Sequence, residues 1–384
     1  MHTLEEIPIG PYHPLLKEPE NIRLFVRGET IVEAGFELGY NHRQVEKLFE
    51  GMDWYKGLEL ATKICGICSL SHGSAFCIGV ERLGAKEPPK RALHIRTIAC
   101  ELERMHSHLL WAGIMCWDLG FETLFMHSWA YREDIMGLLE KLSGKRVSYD
   151  VCTLGGVRRD ISPSLKAEML EKMRTLEKNV KTLQEEVLSS NVAIDRMKGI
   201  GILAKDKAME LGIVGPMRRA SGIGNDVRAD DPYFSYEDVS FEVVTEKGAD
   251  CLARTQVRLR ELLESISIIQ QLLERMPEGP INIGKVFGIP EGEVCSRVEA
   301  PRGENFHYNV SSGPKPYRYR VRPPTYANFL AIPEILRGYQ ISDAAPIVAS
   351  IDPCFCCTDR VAVIDADSGA RRSESMKVLA YGHR

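Results

Sequence analysis

Two pairs of closely spaced cysteines in this 384-residue chain indicate metal binding. Cys65 and Cys68 form the first pair, and Cys354 and Cys357 form the second pair, each with the spacing Cys-x-x-Cys. A turn with this spacing can direct two thiolates at one ion, so two such turns can make a four-thiolate site. Zinc is the simplest ion for such a site, but small zinc modules keep their pairs within about 20 residues of each other. Here most of the chain separates the pairs, which favours a catalytic metal over structural zinc.

The remaining cysteines do not form a pattern of this kind. Cys356 lies inside the second pair, where it could bind alternatively or be oxidised, although a small buried residue is the simpler interpretation. The N-terminal segment has neither a basic stretch nor a long apolar stretch, so we expect a reducing, cytoplasmic setting without disulfides. Six single cysteines are expected to be core side chains: Cys77, Cys100, Cys116, Cys152, Cys251 and Cys295.

The composition is that of a mildly acidic globular protein, with 27% charged residues, a net charge of −4 and a pI near 6.2. The mean hydropathy is −0.17, and no apolar run reaches the length of about 18 residues that a membrane span needs. The charge balance excludes a strongly basic surface, so no nucleic-acid partner is expected. Attachment to a membrane would therefore depend on a partner subunit.

The elements that must position the two pairs are mainly helices. Apolar residues recurring at three- and four-residue steps predict amphipathic helices, of which the first is expected to be central to the core. The long helices are expected at 89–117, 124–142, 164–190 and 251–276. Residues 1–60 combine short β-type runs with a helix near 42–50, and residues 281–357 combine short strands with a helix near 326–336.

The predicted fold class is α+β, with a helix-dominated core of long helices and small peripheral sheets. In this fold the metal site joins an N-terminal motif to a C-terminal motif. We expect a sheet and loop region at 1–60, a helical core at 61–360 that contains both cysteine pairs, and a C-terminal extension at 361–384.

Several motifs in a fixed order make the sequence resemble the large subunit of a nickel-iron hydrogenase. They are the first pair with His72, Ala300-Pro301-Arg302-Gly303, and the second pair between Asp352-Pro353 and Thr358-Asp359-Arg360. Other segments resemble the membrane-associated, energy-converting hydrogenases, which are in turn similar to the quinone-site subunit of respiratory complex I; these segments are 10–14, 37–43, 101–108 and 155–160. The resemblance extends from about residue 10 to residue 360.

The resemblance implies that nickel is bound by Cys65, Cys68, Cys354 and Cys357. It also implies that Cys68 and Cys357 bridge to an iron that carries carbonyl and cyanide ligands. Thiolates are soft donors that suit both metals, and the diatomic ligands supply the strong field that protein groups cannot. Relatives of the complex I type have lost the paired cysteines because they hold no nickel, so their presence here favours a hydrogenase.

A proton path is implied as well, because splitting H2 releases a proton that needs a base within about 3 Å. Cys354, at the terminal position of the second pair, is the candidate for the first proton acceptor. Glu18 matches the family's proton-transfer glutamate. Glu20 is the competing assignment, and without the resemblance Glu18 would be read as an exposed loop acid.

Further roles follow from the same resemblance. Arg302 would lie over the metals, where its guanidinium can orient cyanide, polarise H2 and hold Asp352. Asp352 could equally be a turn residue before Pro353. His72, four residues beyond Cys68, would donate a hydrogen bond to the sulfur of Cys68, although a single histidine is more often a core residue.

Two other features concern ions and charges around the centre. Glu46 matches a glutamate that binds magnesium or iron in relatives, which would make Mg²⁺ a further ion, although a solvated helix glutamate is the simpler interpretation. Uptake hydrogenases carry an acid where this chain has Ser107, before His108, and this departure fits the energy-converting group.

The sequence therefore favours the catalytic subunit of a nickel-iron hydrogenase, with the reaction 2 H⁺ + 2 e⁻ ⇌ H2. The resemblance implies a small partner subunit with iron-sulfur clusters, antiporter-like membrane subunits, and ferredoxin as the electron donor. It places the chain peripherally on the cytoplasmic face of the cell membrane, and it likens residues 361–384 to an extension that a maturation protease often removes. The alternative is a complex I-like, non-hydrogenase coupling module that binds a quinone or a sulfur substrate. A zinc-stapled scaffold comes third.

Overall fold

A computed structural model describes residues 3–14, 16, 18–358, 363–364 and 371–372. It confirms the predicted α+β class, with long helices in the core and small antiparallel sheets at the periphery. The helices of the described residues are α1 (Val45–Leu48), α2 (Trp54–Ala61), α3 (Ser69–Leu83), α4 (Lys90–Asp118), α5 (Glu122–Ser143), α6 (Pro163–Ser189), α7 (Asn191–Asp195), α8 (Lys205–Glu210), α9 (Gly215–Ala220), α10 (Val227–Asp230), α11 (Cys251–Glu274), α12 (Pro324–Asn328), α13 (Ile332–Leu336) and α14 (Ala344–Ile351).

The strands pair into four small antiparallel sheets in the described residues. The two larger sheets have the strand orders β1-β2-β3 and β6-β7-β8, and the other two are the two-stranded ribbons β4-β5 and β9-β10. The strands are β1 (Leu4–Ile9), β2 (Asn21–Arg27), β3 (Thr30–Glu37), β4 (Cys152–Thr153), β5 (Gly156–Val157), β6 (Glu291–Ala300), β7 (Gly303–Ser312), β8 (Pro316–Arg322), β9 (Val363–Ile364) and β10 (Arg371–Arg372).

The long helices α4, α5, α6 and α11 begin and end within about two residues of the predicted bounds because their apolar periodicity is regular. Local capping fixes the ends. The Ser162 hydroxyl accepts a hydrogen bond from the N–H of Leu165 at 3.2 Å and so caps the start of α6. At the C-terminal end of α5, Gly144 adopts the left-handed conformation, with a φ of 84°, and ends the helix.

Helix α4 differs from the amphipathic helix predicted here, because it is buried around most of its circumference. Charged side chains such as Arg96, Glu101 and Arg104 are inside the protein with the apolar ones. Arg96 makes two hydrogen bonds to Glu81, at 2.9 and 2.7 Å, so its buried charge is paired. A central helix of this kind needs partners for its charges, since an unpaired buried charge is strongly destabilising.

The two shorter predicted helices are broken into pieces. The predicted helix at 42–50 is only α1 followed by a 3₁₀ turn at Phe49–Gly51. The predicted helix at 326–336 consists of α12, a 3₁₀ turn at Phe329–Ala331, and α13. Pro333 accounts for the second break, because it has no N–H to continue a helical hydrogen-bond ladder.

Five of the six single cysteines are buried, as predicted, and Cys295 is not. Cys295 lies on β6, where it is paired with Tyr308 of the neighbouring strand and faces away from the core. Successive side chains of a strand point to opposite faces of the sheet, so the next residue, Ser296, is buried instead. The expectation that Cys295 is a core side chain was therefore wrong.

The main cluster of buried apolar side chains extends from Ile9 to Phe355 and draws on both of the first two predicted regions. The division at residue 60 stays a prediction, and the proposed extension at 361–384 lies almost entirely outside the described residues. Within the described part of the chain, no helix combines the length and apolar character that crossing a bilayer requires.

Candidate metal centre

The four paired cysteines come together, as the sequence predicts, in one buried cluster. The first pair lies in the turn that leads into α3, and the second pair follows α14. The Sγ atoms of Cys65 and Cys354 are 3.2 Å apart, those of Cys68 and Cys357 are 3.3 Å apart, and those of the second pair are 3.0 Å apart. All four side chains are at most 5% exposed.

These sulfur separations suit one ion bound by four thiolates. The four donors are all soft sulfur atoms, and all lie within 4.8 Å of one another. They therefore fit a metal centre bound by thiolates.

The ionisation of these thiols also indicates a need for a cation. Hydrogen bonds from Cys354, Cys357 and Cys68 lower the pKa of Cys65 well below its ordinary value. The neighbouring Cys354 is the largest cause that raises the pKa of Cys68, and burial raises the pKa of Cys357. One thiolate is thus stabilised and further ones are opposed, so a full set of four needs compensating positive charge.

The first pair is held by two groups, Glu103 and Tyr149, to which the sequence motifs assigned no role. Glu103 on α4 accepts hydrogen bonds from the N–H groups of Leu70 at 2.6 Å and Ser71 at 2.9 Å, at the start of α3. Burial raises the pKa of Glu103 to about 7 despite these bonds. The hydroxyl of Tyr149 donates to the carbonyl oxygen of Ile67, between the two cysteines, at 2.9 Å. Glu103 belongs to the 101–108 segment, but nothing in that segment marks a contact with the first pair.

The second pair is held by Thr325 and Glu18, which are remote from each other in the sequence. The N–H of Cys354 donates to the hydroxyl oxygen of Thr325 at 3.0 Å. The carboxylate of Glu18 accepts hydrogen bonds from the N–H of Phe355 and, at 2.9 Å, from the N–H of Cys356. The structure thus brings Glu18 to the second pair, as the resemblance implies, while its role in proton transfer stays a prediction.

Arg43 connects the two pairs through backbone carbonyls. Its guanidinium donates to the carbonyl oxygens of Lys63 at 3.2 Å and Ile64 at 2.6 Å, just before the first pair. It also donates to the carbonyl oxygen of Cys356 at 3.0 Å, inside the second pair. A planar group with five N–H donors can satisfy several carbonyls at once. Arg43 therefore joins the two motifs independently of any metal.

Arg302 and Asp352 form a buried ion pair beside the second pair. The Nη2 atom of Arg302 is 2.9 Å from Oδ1 of Asp352, and its Nε donates to the Asp352 carbonyl at 2.7 Å. Burial opposes the charge of Arg302, but Asp352 and the nearby cysteines outweigh it and raise its pKa, so the guanidinium stays cationic. Its Nη1 donates to the hydroxyl of Ser107 at 3.0 Å, in the place of the acid found in uptake enzymes.

A buried charge network supports the turn that carries Arg302. Arg104 on α4 donates to the carbonyl oxygens of Glu299 at 2.7 Å and Ala300 at 3.3 Å, at the end of β6. Arg104 also pairs with Glu101 at 3.3 Å. These contacts fix the position of the β6–β7 turn relative to the central helix.

His72 reaches the cluster but contacts a different sulfur from the one predicted. Its Nε2 atom is 3.4 Å from Sγ of Cys357, whereas the sequence predicted a hydrogen bond to Cys68. The reason is geometric: Cys68 immediately precedes α3, and His72 faces across to the second pair from the first turn of that helix. Burial lowers the pKa of His72 to about 4, so its ring is neutral at pH 7.

Glu20 is a buried acid near Glu18. The residue is 1% exposed, and neither of its carboxyl oxygens has a hydrogen-bond partner among the described residues. Burial, with a smaller contribution from Glu18, raises the pKa of Glu20 to about 9. Glu20 is therefore protonated at neutral pH, whereas Glu18 is the acid that binds the cysteine loop.

Glu46 is engaged by protein groups. Its carboxylate accepts hydrogen bonds from Arg320 at 2.7 Å and from the N–H of Val321 at 2.9 Å. Among the described residues, the four cysteines form the one group of three or more suitable side chains close enough to hold a metal. A magnesium or iron ion at Glu46 stays a prediction.

Comparisons with known proteins agree with these motifs. A family model described as "Respiratory-chain NADH dehydrogenase, 49 Kd subunit" matches residues 118–287 and 282–360. A subunit of the F(420)H(2) dehydrogenase of Methanosarcina mazei is 39% identical over 363 residues, which are 92% of this chain and 97% of that protein. The membrane-bound hydrogenase subunit alpha of Pyrococcus furiosus is 37% identical over 376 residues, which are 94% of this chain and 88% of that protein.

A solved structure shows the same fold. A chain of the membrane-bound sulfane sulfur reductase, an archaeal respiratory membrane complex, matches with a TM-score of 0.89 and 33% identity, covering 93% of this chain and 98% of that one. These matches confirm the relationship to complex I and to membrane-bound hydrogenases that the motifs indicate. The chain belongs to the family of the 49 Kd subunit of the respiratory-chain NADH dehydrogenase.

Proposed function

We propose that this chain is the catalytic subunit of a nickel-iron hydrogenase that forms or oxidises H2. The observation that carries the proposal is the buried cluster of four cysteine sulfurs, with neighbours 3.0–3.3 Å apart. A site made only of thiolates suits a soft metal such as nickel, and its two pairs come from opposite ends of the chain, unlike the pairs of a small zinc module. Similarity to a membrane-bound hydrogenase subunit supports the same conclusion.

In this proposal, all four cysteines would hold nickel, and Cys68 and Cys357 would also hold an iron with carbonyl and cyanide ligands. The metals would supply the electron-transfer chemistry and the binding of H2 that the protein's own groups lack. The protein would provide a dry pocket, since the four side chains are at most 5% exposed. It would also provide a fixed positive charge, because the buried guanidinium of Arg302 is tied to Asp352.

The proton would be handled by Cys354 in the second cysteine loop and by Glu18, which contacts that loop. Cys354 is the proposed first acceptor, because a terminal thiolate is a base already at the reacting centre. Glu18 is the proposed next group, and it is well placed because its carboxylate binds the N–H groups of Phe355 and Cys356, directly after Cys354. Arg302 would keep Asp352 ionised and the loop in place while the proton moves.

The proposed partners follow from the resemblance, and the exposed turn of the first pair is compatible with a docked electron-transfer subunit. Gly66, inside the first pair, is exposed, and Ile67 is half-buried. A docked subunit with iron-sulfur clusters could therefore bring electrons close to the cysteines. We propose ferredoxin as the electron source, antiporter-like subunits that couple the reaction to ion transport, and a peripheral location on the cytoplasmic face of the cell membrane.

A second candidate is a coupling module that reduces a quinone or a sulfur compound. It is favoured by the similarity to the F(420)H(2) dehydrogenase protein and to a chain of the sulfane sulfur reductase. Such a module would not depend on four thiolates. The two candidates thus make opposite predictions for the loss of one cysteine.

Elemental analysis and infrared spectroscopy of the purified complex test the proposal. We expect one nickel per chain and the bands of iron-bound carbonyl and cyanide. The Cys65→Ser variant should lose both the metal and H2 turnover. One zinc per chain without these bands would refute the hydrogenase proposal, and full quinone or sulfur reduction by Cys65→Ser would establish the second candidate.

A further inference from the structure

A continuous chain of hydrogen bonds leads from the cysteine cluster into the β6-β7-β8 sheet. It begins at Cys357, whose Sγ is 3.4 Å from Nε2 of His72. The Nδ1 of His72 is 3.1 Å from Nε2 of His307 on β7, and the Nδ1 of His307 is 2.6 Å from the hydroxyl of Tyr319 on β8. All four residues are at most 3% exposed, so no solvent replaces these contacts.

The short distance between the two imidazoles restricts their protons. Facing nitrogens 3.1 Å apart can share one proton, but they cannot both carry one or both lack one. A positive charge on either ring would be costly in this dry region, so each ring is neutral and carries a single N–H. The hydrogen bonds of the series can then all point towards Cys357 or all point away from it.

A metal-bound Cys357 selects one of these orders. A thiolate ligand can only accept, so Nε2 of His72 must donate to it, which leaves its Nδ1 as an acceptor. His307 then donates from Nε2 and accepts at Nδ1, and the hydroxyl of Tyr319 must donate. The side-chain amide nitrogen of Asn305 is 3.3 Å from Nδ1 of His72 and 3.4 Å from Nε2 of His307, so it can donate to whichever of these two nitrogens accepts and is compatible with this order.

The far end of the chain is held rigidly. The ring of Tyr319 stacks on Phe49 with a centroid distance of 4.1 Å and an interplanar angle of 24°. His307 is fixed on the neighbouring strand, where its Cα is paired with that of Val321. The hydroxyl of Tyr319 therefore meets His307 in a defined place.

We infer that His307 and Tyr319 are positioning residues that fix the tautomer of His72 and so direct an N–H at the sulfur of Cys357. This inference rests on the proposed metal at Cys357. A donated hydrogen bond withdraws electron density from a thiolate, so these two residues would tune the metal centre without touching it. In the sequence, neither His307 nor Tyr319 lies in one of the motifs that contain the cysteines.

The test compares Tyr319→Phe, which removes one hydroxyl, with Tyr308→Phe as the matched control. Tyr308 lies on the same sheet, and its hydroxyl binds Glu293 at 2.5 Å, away from the histidines. Infrared spectra and nickel content of the purified complex are the readouts. We expect Tyr319→Phe to keep its nickel and to shift the carbonyl and cyanide bands to lower frequency, while Tyr308→Phe leaves the bands in place.

His307→Gln provides a second variant, for which we expect the same direction of shift and an activity loss of roughly tenfold or more. Unchanged bands in Tyr319→Phe, in a complex whose wild-type form has them, would overturn this inference and leave the proposed function intact. Absence of nickel and of the bands from the wild-type complex would overturn the proposed function and, with it, this inference.

Discussion

Replacing the buried Glu20 by glutamine should change how the stability of the protein depends on pH. In the folded chain, burial raises the pKa of Glu20 from 4.5 to about 9. In the unfolded chain, the carboxyl ionises near its ordinary value. Between these two values the unfolded chain releases a proton that the folded chain retains, so the wild-type protein loses stability as the pH rises from about 4.5 to about 9.

The size of the effect follows from the two pKa values. For each pH unit above the pKa of the unfolded chain, the free energy of unfolding falls by about 1.4 kcal/mol. At pH 7 the buried acid therefore destabilises the folded state by about 3 kcal/mol. Glutamine cannot ionise and lacks this penalty. Burying an amide without partners adds a cost of its own, but that cost does not depend on pH. The stability difference between variant and wild type should therefore increase in favour of Glu20→Gln as the pH rises.

Chemical denaturation of the full chain at pH 5, 7 and 8.5 measures this difference. The control is Glu33→Gln, since Glu33 is exposed on β3 and has water around its carboxylate in both states. We expect the control to follow the wild-type pH dependence. A stability difference for Glu20→Gln that is the same at all three pH values would show that Glu20 is ionised in the folded protein and would refute the reasoning.

Two further predictions concern the second cysteine loop. Cys354→Ser should reduce the nickel content of the complex to background, because a hydroxyl is a poor ligand for a soft metal. The control Cys356→Ser should keep its nickel. Equal nickel in the two variants, measured by elemental analysis, would contradict the assignment of ligands. Glu18→Gln should keep its nickel but slow H2 turnover by about 10²–10⁴-fold, because an amide cannot relay a proton. A normal turnover rate in that variant would exclude Glu18 from the proton path.

The sequence predicts the long helices and the cysteine cluster well for physical reasons. Helices such as α6 have many regularly spaced apolar residues, and capping residues such as Ser162 mark their ends. The four cysteines are identifiable because residue type and spacing together specify their chemistry. Glu18 could be assigned only by resemblance, since an acid in a loop has no local feature that marks a buried contact.

The supporting groups could not be predicted because their partners are remote in the chain. Glu103 binds the backbone of residues 70 and 71, and Tyr319 reaches the cysteines through two histidines. No periodicity or spacing rule connects such residues. The assignment of His72 to Cys68 was wrong for the same reason: proximity in sequence suggested one sulfur, whereas the fold presents another, that of Cys357.

The distance along the chain between the two cysteine pairs has a consequence for how the protein is assembled. Cys65 and Cys354 are 289 positions apart, so a metal that binds both turns three quarters of the polypeptide into a closed ring. In the chain-entropy model a covalent cross-link of that span restricts the unfolded chain by roughly 6 kcal/mol. The ring can close only after the second pair has been synthesised and folded against the first. A metal bound by both pairs would therefore close this ring late in assembly, and the loaded chain should be more stable against unfolding than the metal-free chain.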